Sequence, residues 1–102
     1  MRYARLGRTG LEVSRLALGC MSYGDPAWRP WILDETTARA HFQTALDVGI
    51  NFFDTADMYS HGVSEEVTGR LLRELAARDD YVLATKVFFP VSKAPNRSGL
   101  SR

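Results

Sequence analysis

The stretch that decides the fold is NFFDTADMYS, residues 51–60. It begins as a strand with two adjacent phenylalanines and runs into a polar loop that carries Asp54, Asp57 and Tyr59. Core packing explains the phenylalanines, but it gives no reason for an acid at the tip of a strand and a tyrosine just beyond it. Loops that follow buried parallel strands are where α/β proteins bind their ligands, so this stretch predicts a functional site.

Helical patterns lie on both sides of this stretch. Before it, a helix is predicted to begin after the N-cap Asp34 and to end at Gly49. Its apolar face comprises Ala38, Phe42, Ala45 and Leu46. After it, Ser64 is predicted to cap a second helix. The apolar stripe of that helix comprises Val67, Leu71 and Leu75. The next strand is predicted over 81–87, where the residues favour a buried strand.

The N-terminal part reads as a hairpin and one further strand. The hairpin strands are predicted over 3–6 and 11–14, joined by a turn in which Gly7 and Gly10 take positive φ. Residues 15–19 are predicted to form a strand that is buried on both faces. The resulting order of strand, helix, strand, helix, strand indicates repeated βαβ units and therefore a parallel sheet. Because three parallel strands and two helices make a poor closed domain, we expect residues 1–102 to be part of a larger architecture.

The composition is that of a soluble globular protein. The chain has 102 residues, of which 45% are hydrophobic and 25% charged, and its formal net charge is +1. This balance indicates neither a nucleic-acid partner nor an anionic membrane surface. The single cysteine, Cys20, cannot form an internal disulfide, and no apolar run approaches the roughly 20 residues that span a bilayer. The expected location is a reducing cytoplasm, and the oligomeric state has no signature in the sequence.

Three polar residues are predicted to meet at the carboxyl edge of the sheet. Asp54 ends one strand, Lys86 ends the next, and Tyr59 lies in the loop between them. Neighbouring strands are about 4.8 Å apart, so these side chains are expected to be close together. An ammonium about 4 Å from a phenol favours the phenolate by about 4 kcal/mol, which suits a tyrosine that acts as a general acid. The alternatives remain a solvated lysine, a turn-forming aspartate and a packing tyrosine.

Several segments together resemble the aldo-keto reductase superfamily. They are FFDTADMYS, SEEVTGRLL, VLATKV and the opening RLGRTGLEVSRLALGCMSYG. The resemblance covers essentially the whole chain and is greatest to the branch of aryl-alcohol dehydrogenase-like proteins and potassium-channel β-subunits. It implies a (β/α)₈ TIM barrel whose bottom is closed by the hairpin, with about three of eight barrel strands in residues 1–102. The chain is then expected to be truncated before the fourth strand, which in this family carries a catalytic histidine.

The same resemblance implies an NADP(H)-dependent oxidoreductase. Hydride passes between nicotinamide and a small-molecule carbonyl or alcohol substrate, with Tyr59 as proton donor, Lys86 tuning it and Asp54 pairing with the lysine and contacting the cofactor. Cys20 and Met21 are expected to line the nicotinamide pocket, and no metal is expected. Because the histidine is missing, activity is expected only in a longer protein.

Two other functions remain open. Lys86 would also suit a Schiff-base aldolase, although a close Asp54 would keep the lysine charged and therefore poorly nucleophilic. A non-catalytic, nucleotide-sensing regulatory subunit is kept open by the resemblance to channel subunits.

Simpler roles are expected for other polar and aromatic residues. Trp28 and Trp31 either line a substrate pocket or pin their loop to the barrel. His61 is expected to be a solvated loop residue rather than a substitute for the missing histidine. A solvated helix face is expected from Glu65, Glu66, Arg70, Arg73 and Glu74.

Overall fold

A computed structural model describes residues 1–101 as a hairpin, a three-stranded parallel sheet and two helices. The strands are β1 (Tyr3–Arg5), β2 (Glu12–Ser14), β3 (Leu18–Gly19), β4 (Phe52–Asp54) and β5 (Val82–Ala84). The helices are α1 (Glu35–Asp47) and α2 (Val63–Leu75). The sheet order is β3-β4-β5 with both pairs parallel, which confirms the predicted βαβ repeat.

The helices cover one face of the sheet through an aromatic core. Phe42 of α1 stacks on Phe53 of β4, with ring centroids 5.7 Å apart, and Tyr81 meets Phe53 edge-on at 6.4 Å. Both phenylalanines are completely buried. From α2, Val67 and Leu71 complete this core, as the apolar pattern predicted. Rings of this size contribute much of the apolar burial available to a short chain.

The ends of α1 follow the sequence signals. The Asp34 carboxylate accepts a hydrogen bond from the Thr37 backbone at 2.9 Å, which confirms its role as N-cap. Gly49, with φ of 89°, follows the last turn and allows the chain to leave the helix in a left-handed conformation.

Helix α2 differs from the prediction, because Gly62 with φ of 99° occupies the N-cap position and Ser64 lies inside the first turn. The Ser64 hydroxyl is engaged elsewhere, by the ends of the strands.

The hairpin is attached to the amino end of the sheet through Asn51. The Asn51 side chain accepts from the Ser14 amide at 2.7 Å and donates to the Glu12 carbonyl at 3.1 Å. The Tyr3 hydroxyl donates to the Gly49 carbonyl at 2.8 Å. The hairpin therefore lies at the end of the sheet opposite Asp54, and it leaves the carboxyl edge open.

Each hairpin strand is one residue shorter than predicted, and two strands of the parallel sheet are shorter by three or more residues. The run 15–19 was expected to be buried on both faces, which is wrong: only Leu18–Gly19 is a strand, and Leu16 is 62% exposed. Among residues 1–101, β3 has a neighbouring strand on one side only, so its other edge is uncovered. Strand β5 ends at Ala84 rather than at Val87, because β4, its only partner in the described region, ends at Asp54 and turns into the loop. Within the same residues, no helix is both long and apolar enough to cross a membrane.

Candidate active site

The register of the sheet brings the predicted site together. Asp54 pairs with Ala84 at the end of β4 and β5, and Lys86 follows two residues later. The backbone of Lys86 remains beside the β4 loop, since its carbonyl accepts from the Asp57 amide at 3.1 Å. Lys86 thus lies beyond the strand rather than at its end, and its long side chain reaches back to the rim.

Lys86 contacts both predicted partners. Its Nζ donates to Oδ2 of Asp54 at 2.7 Å and to the carbonyl of Thr55 at 2.8 Å. The same nitrogen lies 5.0 Å from the centre of the Tyr59 ring, which is within the range of a cation–π contact. Asp54, Tyr59 and Lys86 therefore form one cluster, as the sequence predicted.

The cluster stabilises the charged form of the lysine. Partial burial lowers the pKa of Lys86, but interactions with Asp54 and then with Tyr59 outweigh that effect, so the pKa lies above its ordinary value. A lysine in this state is a fixed cation at neutral pH. It is poorly suited to attack a carbonyl carbon, because a nucleophilic lysine must be neutral.

The chain turns sharply directly after Tyr59. Ser60 and His61 both have left-handed backbone conformations, with φ of 49° and 51°, and Gly62 follows with φ of 99°. A left-handed conformation costs roughly 1–2 kcal/mol for each residue that has a Cβ. The surrounding packing must sustain this strain. It does so partly through Ser60, which is buried and whose Oγ accepts from the Asp25 amide at 3.1 Å.

Trp28 packs the loop between β3 and α1 against this turn. Its ring centroid lies 6.4 Å from that of Tyr59 and 6.3 Å from that of His61. These contacts favour the role of Trp28 in holding its loop against the barrel. Because Trp28 also lies beside Tyr59, contact with a substrate stays a prediction. Trp31 is 49% exposed and touches Trp28 edge-on. His61 is exposed, as expected, and in the described region its side chain makes no hydrogen bond to the cluster.

The two residues after β3 occupy different environments. The side chain of Cys20 is completely buried, and this burial raises the pKa of its thiol to about 11. Met21 is 41% exposed. The expected cofactor contact of both residues stays a prediction, but the burial of the Cys20 thiol means that its side chain faces the core. Met21 alone offers an accessible side chain.

A small apolar cavity lies beside the cluster. It has a volume of about 150 Å³, and its walls include Met58, Tyr59, Lys86, Val87 and Phe89. Val87 and Phe89 are each 60% exposed, so the cavity is open on the side of the segment that follows β5. Across residues 1–101, no group of three or more potential metal-ligating side chains lies together.

Sequence reasoning missed the hydrogen bonds that surround the cluster. The carbonyl of Thr55 holds Lys86, and Thr85 donates to Oε1 of Glu65 at 2.5 Å. Glu65 was expected on a solvated helix face; instead it contacts the segment that carries the lysine. The only sequence signal was adjacency, since Thr55 follows Asp54 and Thr85 precedes Lys86.

Comparison with known proteins identifies the family. The model of the Aldo/keto reductase family matches residues 15–102. The chain belongs to this family. Versiconal hemiacetal acetate reductase of Aspergillus parasiticus is 46% identical over 97 residues, which are 94% of this chain and 28% of that protein. A "Probable voltage-gated potassium channel subunit beta" of Oryza sativa subsp. japonica is 41% identical over 104 residues, which cover 100% of this chain and 30% of the Oryza protein.

Solved aldo-keto reductases share this fold. The holo form of aldo-keto reductase AKR11C1 from Bacillus halodurans has a TM-score of 0.76 and 38% identity, over 96% of this chain and 30% of its own. A Schizosaccharomyces pombe relative that carries an aryl-alcohol dehydrogenase name is 48% identical over 94 residues, 89% of this chain and 27% of its own. The predicted family, its two named branches and the fold class, the N-terminal part of a TIM barrel, are confirmed. The chain spans a little under a third of the length of these relatives.

Proposed function

We propose that the chain is part of an NADP(H)-dependent aldo-keto reductase that interconverts a carbonyl compound and an alcohol, with Tyr59 as proton donor. The observation that carries the proposal is the contact of Lys86 with two partners. Its Nζ is 2.7 Å from Oδ2 of Asp54 and 5.0 Å from the centre of the Tyr59 ring. This arrangement supports an acid–base group placed beside a cation that a carboxylate holds in position.

In this proposal each residue of the cluster has a defined role in the proton transfer. Tyr59 gives its phenolic proton to the carbonyl oxygen of the substrate. The ammonium of Lys86, 5.0 Å from the centre of the Tyr59 ring, then faces a negative charge and attracts it. Asp54 and the carbonyl of Thr55 orient the ammonium, and the raised pKa of Lys86 keeps it protonated at neutral pH.

The residues at the rim fit a nicotinamide cofactor, which when bound would supply the hydride. Only one carboxylate oxygen of Asp54 is held by Lys86, and among residues 1–101 the other accepts no hydrogen bond. That oxygen is a suitable acceptor for a ribose hydroxyl. Met21 offers an exposed apolar side chain at the end of β3, while the side chain of the preceding Cys20 is buried in the core. The preference for NADP(H) over NAD(H) is supported by family resemblance alone.

The cavity beside Tyr59 supports a substrate with an apolar group next to its carbonyl. Its apolar walls include Met58, Val87 and Phe89, which would contact such a group. The substrate itself, whether aldehyde or ketone, is determined by loops beyond this cavity.

The activity is assigned to a protein that also supplies the rest of the barrel. The chain corresponds to 28% of the reductase from Aspergillus parasiticus. The family resemblance implies a catalytic histidine on a fourth barrel strand, which we expect to follow the three strands of residues 1–102. We therefore expect the cluster to be necessary for turnover but not sufficient for it.

Cofactor binding is the first test, by fluorescence titration of the chain with NADPH and with NADH. Where NADPH binds, Asp54→Asn should weaken binding, because the amide cannot replace the charged acceptor. Asp57→Asn is the matched control, since Asp57 is a neighbouring loop carboxylate whose side chain makes no hydrogen bond to Lys86 among the described residues. Equal weakening by both substitutions would contradict the assigned role of Asp54.

The proton donor is tested by kinetics in the protein that carries the complete barrel. Tyr59→Phe removes only the hydroxyl and should lower kcat by about 10²- to 10⁴-fold, the usual contribution of a general acid. NADPH affinity should change little, because the ring and its contact with Trp28 remain. A variant that keeps wild-type kcat would rule out Tyr59 as the donor.

The second candidate, a nucleotide-sensing regulatory subunit, is favoured by the 41% identity to the Oryza protein named as a channel subunit. It predicts NADPH binding without turnover of any carbonyl substrate. The aldolase alternative receives less support, because Asp54 holds Lys86 in its charged form. Borohydride trapping with a carbonyl substrate tests it directly: an adduct on Lys86 would favour the aldolase.

A further inference from the structure

The first turn of α2 reaches the ends of all three parallel strands. Ser64 is completely buried, and its Oγ donates to the carbonyl of Cys20, the residue that follows β3, at 2.7 Å. The same Oγ lies 3.2 Å from Oγ1 of Thr55, the residue that follows β4. One hydroxyl therefore links two strand ends to the helix, in a place where water cannot substitute for it.

The next residue of α2 holds the third strand end. Oε1 of Glu65 accepts a hydrogen bond from Oγ1 of Thr85 at 2.5 Å. Thr85 follows β5 and directly precedes Lys86. A hydrogen bond to a carboxylate is short and roughly twice as strong as a bond between neutral groups. It links α2 to the backbone from which the Lys86 side chain extends.

These two links converge on Lys86. Thr55 supplies the carbonyl that accepts from Lys86 Nζ at 2.8 Å, so a shift of Thr55 moves the tip of the lysine. Thr85 precedes the lysine, so a shift of Thr85 moves its base. We propose that Ser64 and Glu65 are positioning residues, which fix Lys86 against Tyr59 by holding Thr55 and Thr85. This inference rests on the proposed function for the role of the lysine in turnover, but the geometry can be tested without turnover.

Glu66 provides a contrast within the same turn. It carries the same charge at the same end of the helix, so its interaction with the helix dipole is similar to that of Glu65. Its carboxylate faces Arg70 at 3.7 Å and is 66% exposed. Because its side chain forms no hydrogen bond to a strand end within residues 1–101, Glu66→Ala is a matched control that removes one charge from the turn without touching Thr85.

The decisive variants change the hydroxyl of Thr85 and leave every charge in place. Thr85→Val keeps the shape of the side chain and removes its donor, while Thr85→Ser keeps the donor. In the 102-residue chain, the titration of Lys86 is followed by NMR of its side-chain carbon and nitrogen. We expect the pKa of Lys86 to move down toward its ordinary value in Thr85→Val, Glu65→Ala and Ser64→Ala. It should stay at the wild-type value in Thr85→Ser and Glu66→Ala.

A second readout applies in the protein with the complete barrel. Thr85→Val and Glu65→Ala should lower kcat by about 10- to 100-fold with little change in KM, because a misplaced cation loses its effect on the reacting oxygen. Glu65→Gln, which keeps an acceptor oxygen for Thr85, should recover most of the rate. If Thr85→Val matches Thr85→Ser in both the Lys86 titration and kcat, the positioning role is overturned. Absence of turnover in the wild type would contradict the proposed function while leaving the titration result to decide the positioning role.

Discussion

Replacement of Gly24 by alanine tests whether close packing holds the turn that follows Tyr59. A Cβ added at Gly24 would lie 2.3 Å from Oγ and 2.7 Å from Cβ of Ser60. Both distances are well inside van der Waals contact, so one of the two segments must move. Gly24 itself is fixed by a hydrogen bond from its amide to the Leu33 carbonyl at 2.9 Å.

Ser60 cannot move aside without cost. It is 2% exposed, has φ of 49°, and accepts a hydrogen bond from the Asp25 amide. Overpacking in such a place costs about 1–3 kcal/mol. For a domain of this size, each 1 kcal/mol lowers Tm by about 4–8 °C, so Gly24→Ala should lower it by roughly 4–24 °C. Because Ser60 follows Tyr59, the same displacement should disturb the candidate site.

The assay is urea unfolding of a double-mutant cycle. Ser60→Gly removes both atoms that the new methyl group would meet and accepts the left-handed backbone. The double variant Gly24→Ala/Ser60→Gly should therefore recover most of the loss, with a coupling energy of about 1–2 kcal/mol. Gly19→Ala is the control, since a Cβ there meets nothing within 4 Å. A Gly24→Ala variant within about 0.5 kcal/mol of wild type, or a cycle without coupling, would refute the packing argument.

Three further predictions concern single residues. The Cys20 thiol is buried and its pKa is raised to about 11, so it should resist alkylation at pH 7.5 and react only when the chain unfolds. Mass spectrometry measures the labelling, and rapid labelling of the native chain would contradict the burial of the thiol. Asn51→Ala removes two side-chain hydrogen bonds to the hairpin and should lower the free energy of unfolding by about 1–3 kcal/mol. Amide hydrogen exchange measured by NMR should become faster in β1 and β2 only. Unchanged exchange there would show that Asn51 does not hold the hairpin. The pKa of Lys86 is raised in the folded state, so the contribution of Lys86 to stability is complete below about pH 10.4 and is lost as the pH rises through the folded-state pKa. In urea unfolding, the stability difference between wild type and Lys86→Met should therefore shrink in this alkaline range. A difference that grows would contradict the raised pKa.

The elements that local chemistry determines were predictable. Asp34 and Gly49 mark the ends of α1 because capping depends on the residue itself and its immediate neighbours. The meeting of Asp54 and Lys86 was also predictable, because parallel strands in register bring their carboxyl ends to one edge. Such inferences need only the order of elements and the spacing of residues along the chain.

What depended on contacts between distant segments was not predictable. Ser64 has the residue type of an N-cap, but its hydroxyl binds the Cys20 carbonyl, 44 residues away. Glu65 has the spacing of a solvated helix face, but it meets Thr85, 20 residues later. The left-handed conformation of Ser60 likewise has no local cause, because the residues that hold it, Gly24 and Asp25, lie about 35 positions earlier in the chain.

The attachment of the hairpin through Asn51 has a consequence for synthesis on the ribosome. The bond between Ser14 and Asn51 spans 37 positions, and that between Tyr3 and Gly49 spans 46. The hairpin therefore leaves the exit tunnel long before its anchors do, and a two-stranded hairpin alone is marginally stable in water. The hairpin is thus made well before the residues that hold it, and a nascent chain arrested before Asn51 emerges should expose β1 and β2 to chaperones and proteases.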